Sequence, residues 1–464
     1  MARLLLFAAS VTDSHLEISS DDIEPPGRAA LTRGGESLEA ELEREPSRFK
    51  RFLKILGPGL ITGASDDDPS GIGTYAMAGA QAGYAPLWTA LVTFPLMASV
   101  QFICAKIGLV SGRGIAGLLR RHYAKSLLYT VVISLMVANT INAGADILAI
   151  AAGFNLLAPV STTLLVAPIG ILILALQIWG SYRLIANTFK WLTLALFGYI
   201  GAAFFARPDW HAVLRGTFLP TLHFDSIFLA TLVAILGTTI SPYLFFWQAS
   251  QEVEEEISRG RRRLWQRKGA TDGELKYAAL DINTGMLFSN AVMYFVILAS
   301  AATLHQAGRT NIATAAEAAQ ALRPLAGEGA TVLMALGLIG TGLLAVPILT
   351  GSAACAVCET FGWQCSLDAQ PAKAKEFYLI VTASTLAGLL MHFVGINEMQ
   401  ALFWTAVING FLAPPLLVVI MLISNNQIIM GPRVNGRTMN VMGWLTAALM
   451  FAAAAGLVWT WGRG

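Results

Sequence analysis

From Phe52 onward, apolar stretches of roughly 18 to 25 residues recur along the chain, each long enough to cross about 30 Å of hydrocarbon as a helix. Eleven such spans are predicted, near residues 56–82, 86–110, 126–150, 161–179, 190–206, 224–249, 281–304, 330–355, 376–394, 400–423 and 441–461. Composition agrees: 55% of the 464 residues are hydrophobic and only 13% are charged, where soluble domains carry roughly a quarter. The chain is therefore expected to be an all-α, multi-pass integral membrane protein with the lipid bilayer as its first partner. Its net charge of +2 comes from basic residues distributed by topology and not gathered on one face, so no nucleic-acid partner is expected.

Residues 1–45, which include "SSDDIEPPG" and "ESLEAELERE", are too polar and acidic to bury a core of their own. They are predicted to be a disordered cytoplasmic tail ahead of a transmembrane domain over 46–464. The opening "LLLFAAS" is too short for a signal-peptide core, so the tail is expected to be uncleaved. Arg48, Lys50, Arg51 and Lys54, then Arg113, Arg120, Arg121 and Lys125, Arg183 and Lys190, the run Arg261 to Lys268, Lys373 and Lys375, and Arg433 and Arg437 all fall on one side of the predicted topology. Arg207, Arg215, Arg309, Arg323 and Arg463 fall on the other. That asymmetry orients the N-terminus toward the cytoplasm and accounts for the 261–268 run without a headgroup or nucleic-acid role. Glu252, Glu254, Glu255 and Glu256 are read as a solvated loop face after the sixth span. Cys355, Cys358 and Cys365 lie close together, but no second CxxC accompanies them, so a small apolar or structural role is preferred over a metal site or a disulfide.

Two spans are interrupted. "GPGLITGASDDDPSGIGTYAMAGAQAGY" carries Pro69 in mid-span among glycines and serines, and "LVAILGTTISPYLFFWQASQ" carries Pro242 after Gly237, Thr238, Thr239 and Ser241. A proline there removes a backbone donor and clashes with the preceding turn, so neither helix continues unbroken. The two are the first and sixth spans and each opens a set of five, about 56–206 and about 224–423, with 441–461 left over. Five is odd, so the halves have opposite orientation. Corresponding broken helices in oppositely oriented halves are the pattern of an inverted-repeat secondary transporter, with substrate held near the midplane by unwound backbone.

An ionisable residue at membrane depth is a functional candidate unless it is paired. Asp68 immediately precedes the break at Pro69, where carbonyls freed from the helix ladder can join it around a cation. From the sixth span the matching oxygens are the carbonyls and hydroxyls of Thr238 and Ser241. The set contains no thiolate, imidazole or thioether, which suits magnesium, calcium or manganese. Asp67 and Asp66 point away from Asp68 on helical geometry. One is expected to face water around the ion and the other to cap or pair within the bundle. Asn142 and Asp146, four residues apart on the third span, share a face and either line the permeation path or leave Asp146 paired in the bundle. Asn409 on the tenth span is either near the ion or in an interhelical hydrogen bond. Gln248 is assigned to a hydrated cavity.

The stretches "GPGLITGASDDDPSG", "GTTISPYLFFWQASQ" and "QFICAKIGLVSGRGIAGLLRRHY" resemble the Nramp family of divalent metal-ion transporters over about residues 50–425. That resemblance implies a fold of the LeuT type, 11 helices with 5+5 inverted repeats and broken helices 1 and 6. It also implies a bacterial plasma-membrane location, a monomeric transport unit, and a divalent ion that is cargo and not a cofactor. The family's Asp-Pro-Gly-Asn and Met-Pro-His-Asn tetrads read here Asp68-Pro69-Ser70-Gly71 and Ser241-Pro242-Tyr243-Leu244. Loss of the methionine removes a soft ligand, and Gly71 in place of asparagine is expected to open space; both favour a larger, hydrated hard ion. The helix-six histidines correspond to Tyr243 and Gln248, which do not titrate near neutral pH, and the acidic pair of helix three to Thr140 and Ala143. The pattern resembles the branch of Nramp-related magnesium transporters and implies uptake of magnesium, and of manganese, without proton coupling. The alternatives are a proton-coupled manganese or iron transporter, or an amino-acid transporter of the same fold, whose substrate carboxylate Asp68 would repel. A channel differs only in gating. No enzyme activity is expected: an intramembrane aspartic protease would leave the broken sixth helix without purpose.

Overall fold

The computed structural model describes Leu42 and residues 44–180, 196–365, 371–390 and 398–461, with backbone alone at 325, 328, 398 and 461. Most of the predicted 1–45 tail, the loop carrying Arg183 and Lys190, and Arg463 lie outside the described residues. All regular structure among the described residues is helical. The long helices and half-helices are α1 (Pro58–Asp66), α2 (Pro69–Ala82), α3 (Trp88–Ser111), α4 (Lys125–Leu157), α5 (Thr162–Trp179), α6 (Ser226–Thr239), α7 (Pro242–Ser258), α8 (Asp272–Ser300), α9 (Ala330–Phe361), α10 (Lys375–Leu390), α11 (Glu398–Ser424) and α12 (Arg437–Trp461).

Eight helical segments among the described residues are long and apolar enough to span a bilayer, with α6 and α7 counting together as Ser226–Ser258. The predicted spans at 56–82, 190–206 and 376–394 are not among the eight. The first is split into α1 and α2, of 9 and 14 residues, each too short to cross alone. The other two run into residues outside the described set, leaving the helix Gly198–Phe205 and the 16-residue α10.

Helix ends follow local chemistry. Thr271 and Glu274 form a reciprocal capping box that starts α8 nine residues before the predicted 281. Likewise α7 continues to Ser258, past the predicted 249, so the glutamates after it are not a solvated loop face. Glu252 and Glu256 are buried, and Glu256 pairs with Arg261 at 2.6 Å, which also reaches Glu274 at 2.7 Å. Arg261 is therefore withdrawn from the basic surface run by two buried carboxylates. The cysteines are likewise arranged differently from expectation. α9 ends at Gly362 in the left-handed region (φ 77), the chain reverses, and Cys365 bonds to Cys355 while Cys358 stays free and buried.

In the packed core α9 lies along α4, α6 along α11, α7 along α3 and α1 along α8. The α1–α8 contact is made backbone to backbone. A Cβ on Gly63 would be driven into the Gly285 carbonyl, and one on Gly285 into the carbonyl of Gly59. Small residues at such crossings let helices in lipid approach closely. Gly63→Ala is expected to cost about 1–3 kcal/mol by overpacking. A lowered thermal midpoint in detergent, read by fluorescence-detected gel filtration, checks this; an unchanged midpoint would mean that the helices separate freely.

Candidate metal centre

The interruption between α1 and α2 is a helix end followed at once by a helix start. α1 stops at Asp66, and Asp68 adopts an extended conformation (φ −64, ψ 167) as the cap of α2, with Pro69 in the first turn. Aspartate before proline favours this arrangement: the carboxylate accepts an amide proton that lacks a helical partner, and proline has none to offer. Asp68 Oδ1 accepts from the Gly71 amide at 2.7 Å. The second break is built differently. Ser241 precedes Pro242, but its hydroxyl turns back and donates to the Gly237 and Thr238 carbonyls at 3.0 and 2.6 Å, satisfying the end of α6. The Thr238 carbonyl is thus already hydrogen-bonded within its own helix end.

Around Asp68 the structure gathers side chains from α4 and α7. Asn142 Nδ2 donates to Asp68 Oδ2 at 3.1 Å. The Tyr243 hydroxyl donates to the Ser65 carbonyl at 2.8 Å and stands 3.5 Å from Asp68 Oδ2. Asp146 interacts electrostatically with Asp68 and lies by the Ser70 amide, but neither of its oxygens makes a full hydrogen bond. Asn142 Oδ1 is unpartnered as well. Asp68 is 2% exposed and Asp146 0%, so the group is closed to bulk solvent. Among the described residues, no three His, Cys, Asp or Glu side chains stand close enough to hold a metal by themselves.

The other sequence candidates divide. Thr238 reaches the break through Oγ1, which stands 3.2 Å from the position a Cβ on Gly71 would take. That position is also 3.1 Å from the Asp66 carbonyl and 3.4 Å from the Tyr75 ring, so Gly71 does not open space as expected. The volume vacated by a side chain has been filled by its neighbours. Asp66 and Asp67, expected to part company, are both fully buried and both turn to Ser289 on α8, whose hydroxyl lies 2.6 and 3.3 Å from them. Gln248 accepts from Thr62 at 2.6 Å and donates to Glu252 at 2.8 Å, bridging α1 and α7 below the site. Asn409 is buried next to the close contact of Gly410 with Gly237, and the hydrogen bonds around Asp68 do not include it.

Beyond the candidates, Ser70 donates to the Leu402 carbonyl at 2.8 Å and fastens the start of α2 to α11. Asp281 on α8 accepts the amides of Gly57, Gly59 and Leu60 at 2.9, 2.7 and 3.0 Å, capping α1 from another helix. Asp281 also lines a cleft of about 80 Å³ with Gly57, Pro58, Glu252 and Glu255. A sequence signal for this face existed. Asp281, Gly285 and Ser289 recur every four residues on α8 and oppose Gly59, Gly63 and the Asp66-Asp67 pair of α1.

The model of the Nramp family, natural resistance-associated macrophage protein-like, matches residues 59–460. The chain belongs to the Nramp family. It is a transporter and not an enzyme, and for it a metal ion is substrate, not cofactor. It is 25% identical over 449 residues to the divalent metal cation transporter MntH of Deinococcus radiodurans, covering 95% of this chain and 97% of that protein. With MntH of Klebsiella pneumoniae it shares 24% identity over 425 residues, 90% of this chain and 97% of that one. Among solved structures, a variant of the Eremococcus coleocola manganese transporter superposes with a TM-score of 0.68 at 18% identity, covering 89% and 87% of the two chains. Mhp1, a nucleobase-cation-symport-1 family transporter captured closed, gives 0.52 at 14% identity, covering 87% of this chain and 92% of that one. These likenesses show the fold, which is of the LeuT type with helices 1 and 6 broken. In this Nramp chain the two breaks are α1–α2 and α6–α7, and they meet at Tyr243 and Ser65.

Proposed function

We propose that this Nramp chain imports a divalent cation, magnesium with manganese also accepted, across a bacterial plasma membrane by alternating access and without proton coupling. The observation that carries the reading is the donor set at the first break. Asp68 sits beside Asn142 Oδ1 and Asp146, whose oxygens are unpartnered and buried, with no sulfur or imidazole in the hydrogen bonds around it. Oxygen-only donors favour hard ions, and magnesium sheds water reluctantly, so few direct protein ligands suit it. The MntH relatives support a divalent cargo by their names. Asp68 coordinates and neutralises charge. Thr238 and Ser241 hydrogen-bond the ion's water from the second break, while Asn142 and Asp146 line its path.

Tyr243 stands where the family carries a histidine, and its phenol is engaged by the Ser65 carbonyl, which supports transport without a proton carrier at this position. The membrane potential supplies roughly 2.3 kcal/mol per elementary charge per 100 mV, so an inward-moving divalent ion needs no second driving ion. The orientation assigned is N-terminus cytoplasmic, with the Asp281 cleft opening to the cytoplasm, and one chain forms the transport unit. Influx into proteoliposomes with magnesium and manganese in competition, read beside an internal pH dye, tests the reading. Mutual competition with no pH change is expected. Manganese influx that magnesium does not compete, accompanied by internal acidification, would instead make the chain a proton-coupled manganese transporter.

A further inference from the structure

The first break gathers more carboxyl groups than one cargo ion can serve. Asp66, Asp67, Asp68 and Asp146 are all at most 2% exposed, and their hydrogen-bond partners are Ser289, the Gly71 amide, Asn142 and Tyr243, none of them cationic. A divalent ion at Asp68 and Asp146 balances two carboxylates and leaves two. An unpaired charge in a low-dielectric interior is costly, so each such carboxylate either holds a proton or is met by a counter-charge.

The remaining pair faces the other side of the break. Asp68 turns to α4 through Asn142, whereas Asp66 and Asp67 turn to α8 through Ser289. Each of the two still has one buried oxygen without a partner, Asp66 Oδ1 and Asp67 Oδ2. A third group lies at the same break. The Tyr75 hydroxyl is fully buried without a full hydrogen bond, with the Thr238 side chain near it, and the ring and the Asp66 carbonyl both crowd Gly71. Two carboxylates, a serine hydroxyl and a phenol form an all-oxygen donor set of the kind that holds hard cations.

We propose that Asp66, Asp67, Ser289 and Tyr75 form a second cation site, distinct from the cargo site at Asp68 and occupied by a hard cation, either sodium or a second divalent ion. A cation there ties the end of α1 to α8 from above, as Asp281 ties its beginning from below. The site goes beyond the transport reading and does not depend on which divalent ion is cargo.

The test counts cations on the purified full chain in detergent, with choline as the only other cation. Magnesium is measured by equilibrium dialysis with elemental analysis, and sodium by binding of the radioactive ion. The wild type is expected to bind either two magnesium ions per chain, or one magnesium and one sodium. Asp68→Asn should remove one magnesium only, and the double substitution Asp66→Asn with Asp67→Asn should remove only the other cation. A wild type that binds a single magnesium and no sodium overturns the second site while leaving the cargo site intact, and no magnesium at all sinks the cargo site instead. Ser289→Ala guards against a double variant that does not fold. It should weaken the second equivalent roughly tenfold and leave the first unchanged, as expected for loss of one ligand worth about 1.4 kcal/mol; equal affinity for both would overturn the proposal.

Discussion

Asp68→Asn is expected to reduce divalent-cation influx into proteoliposomes at least about a hundredfold while the protein still elutes as a folded species. The asparagine keeps the shape and caps a helix as well as aspartate does, so the bond to the Gly71 amide and the start of α2 survive. What is lost is the charge. Removing one partner of a buried ionic contact costs about 3 kcal/mol or more, which is roughly two decades in affinity. Asn142 would then have to accept where it now donates, so it could not restore the loss by itself. Influx retained at the wild-type rate would remove Asp68 from the cargo site.

Asp281→Ala should shift the protein toward a state open at the N-terminal end of α1. One carboxylate accepts three amides at the start of α1, where the helix dipole also favours negative charge. Without it those amides lose their partner, at a cost of about 2 kcal/mol, or roughly a thirtyfold change in an opening equilibrium. Ser65, fully buried on α1, provides a reporter site. A cysteine there should react with a membrane-impermeant thiol reagent at least about tenfold faster in the Asp281→Ala background than in the parent. Equal rates would mean that the cap holds a helix end that does not move, and that access to the site is controlled elsewhere.

The parts of this site legible in the sequence are those fixed by neighbouring residues. Asp-Pro and Ser-Pro in mid-span announce a helix stop and start, and both breaks occur where the prolines put them. Asn142 and Asp146 share a helical face by spacing, and that face meets Asp68. What escaped is what another helix supplies. The role of Gly71 turned on whether Tyr75 and Thr238 would fill the space beside it, and they do. Glu252 and Glu256 read as a solvated run because their partners are Gln248 and Arg261, and Arg261 is held in place by Glu274 only once α7 and α8 are packed. Asp281 and Ser289 sat in a predicted apolar span as minor polar residues. Their meaning came from the α1 backbone against which Gly285 lets them press.

The mooring of the two half-helices has a mechanical consequence. α2 is fastened to α11 through Ser70, and α1 is fastened to α8 through Asp281 and Ser289, so the chain between them acts as a joint linking two separately anchored rods. Asp68 is the last residue of that joint and also the cap of the second rod. If α1 tilts away at its N-terminal end, the bend falls on Asp67 and Asp68, and the Ser65 carbonyl that holds Tyr243 travels with it. Unlatching the door and loosening the grip on the ion would then be a single movement, with no state in which the exit is open and the cradle still intact.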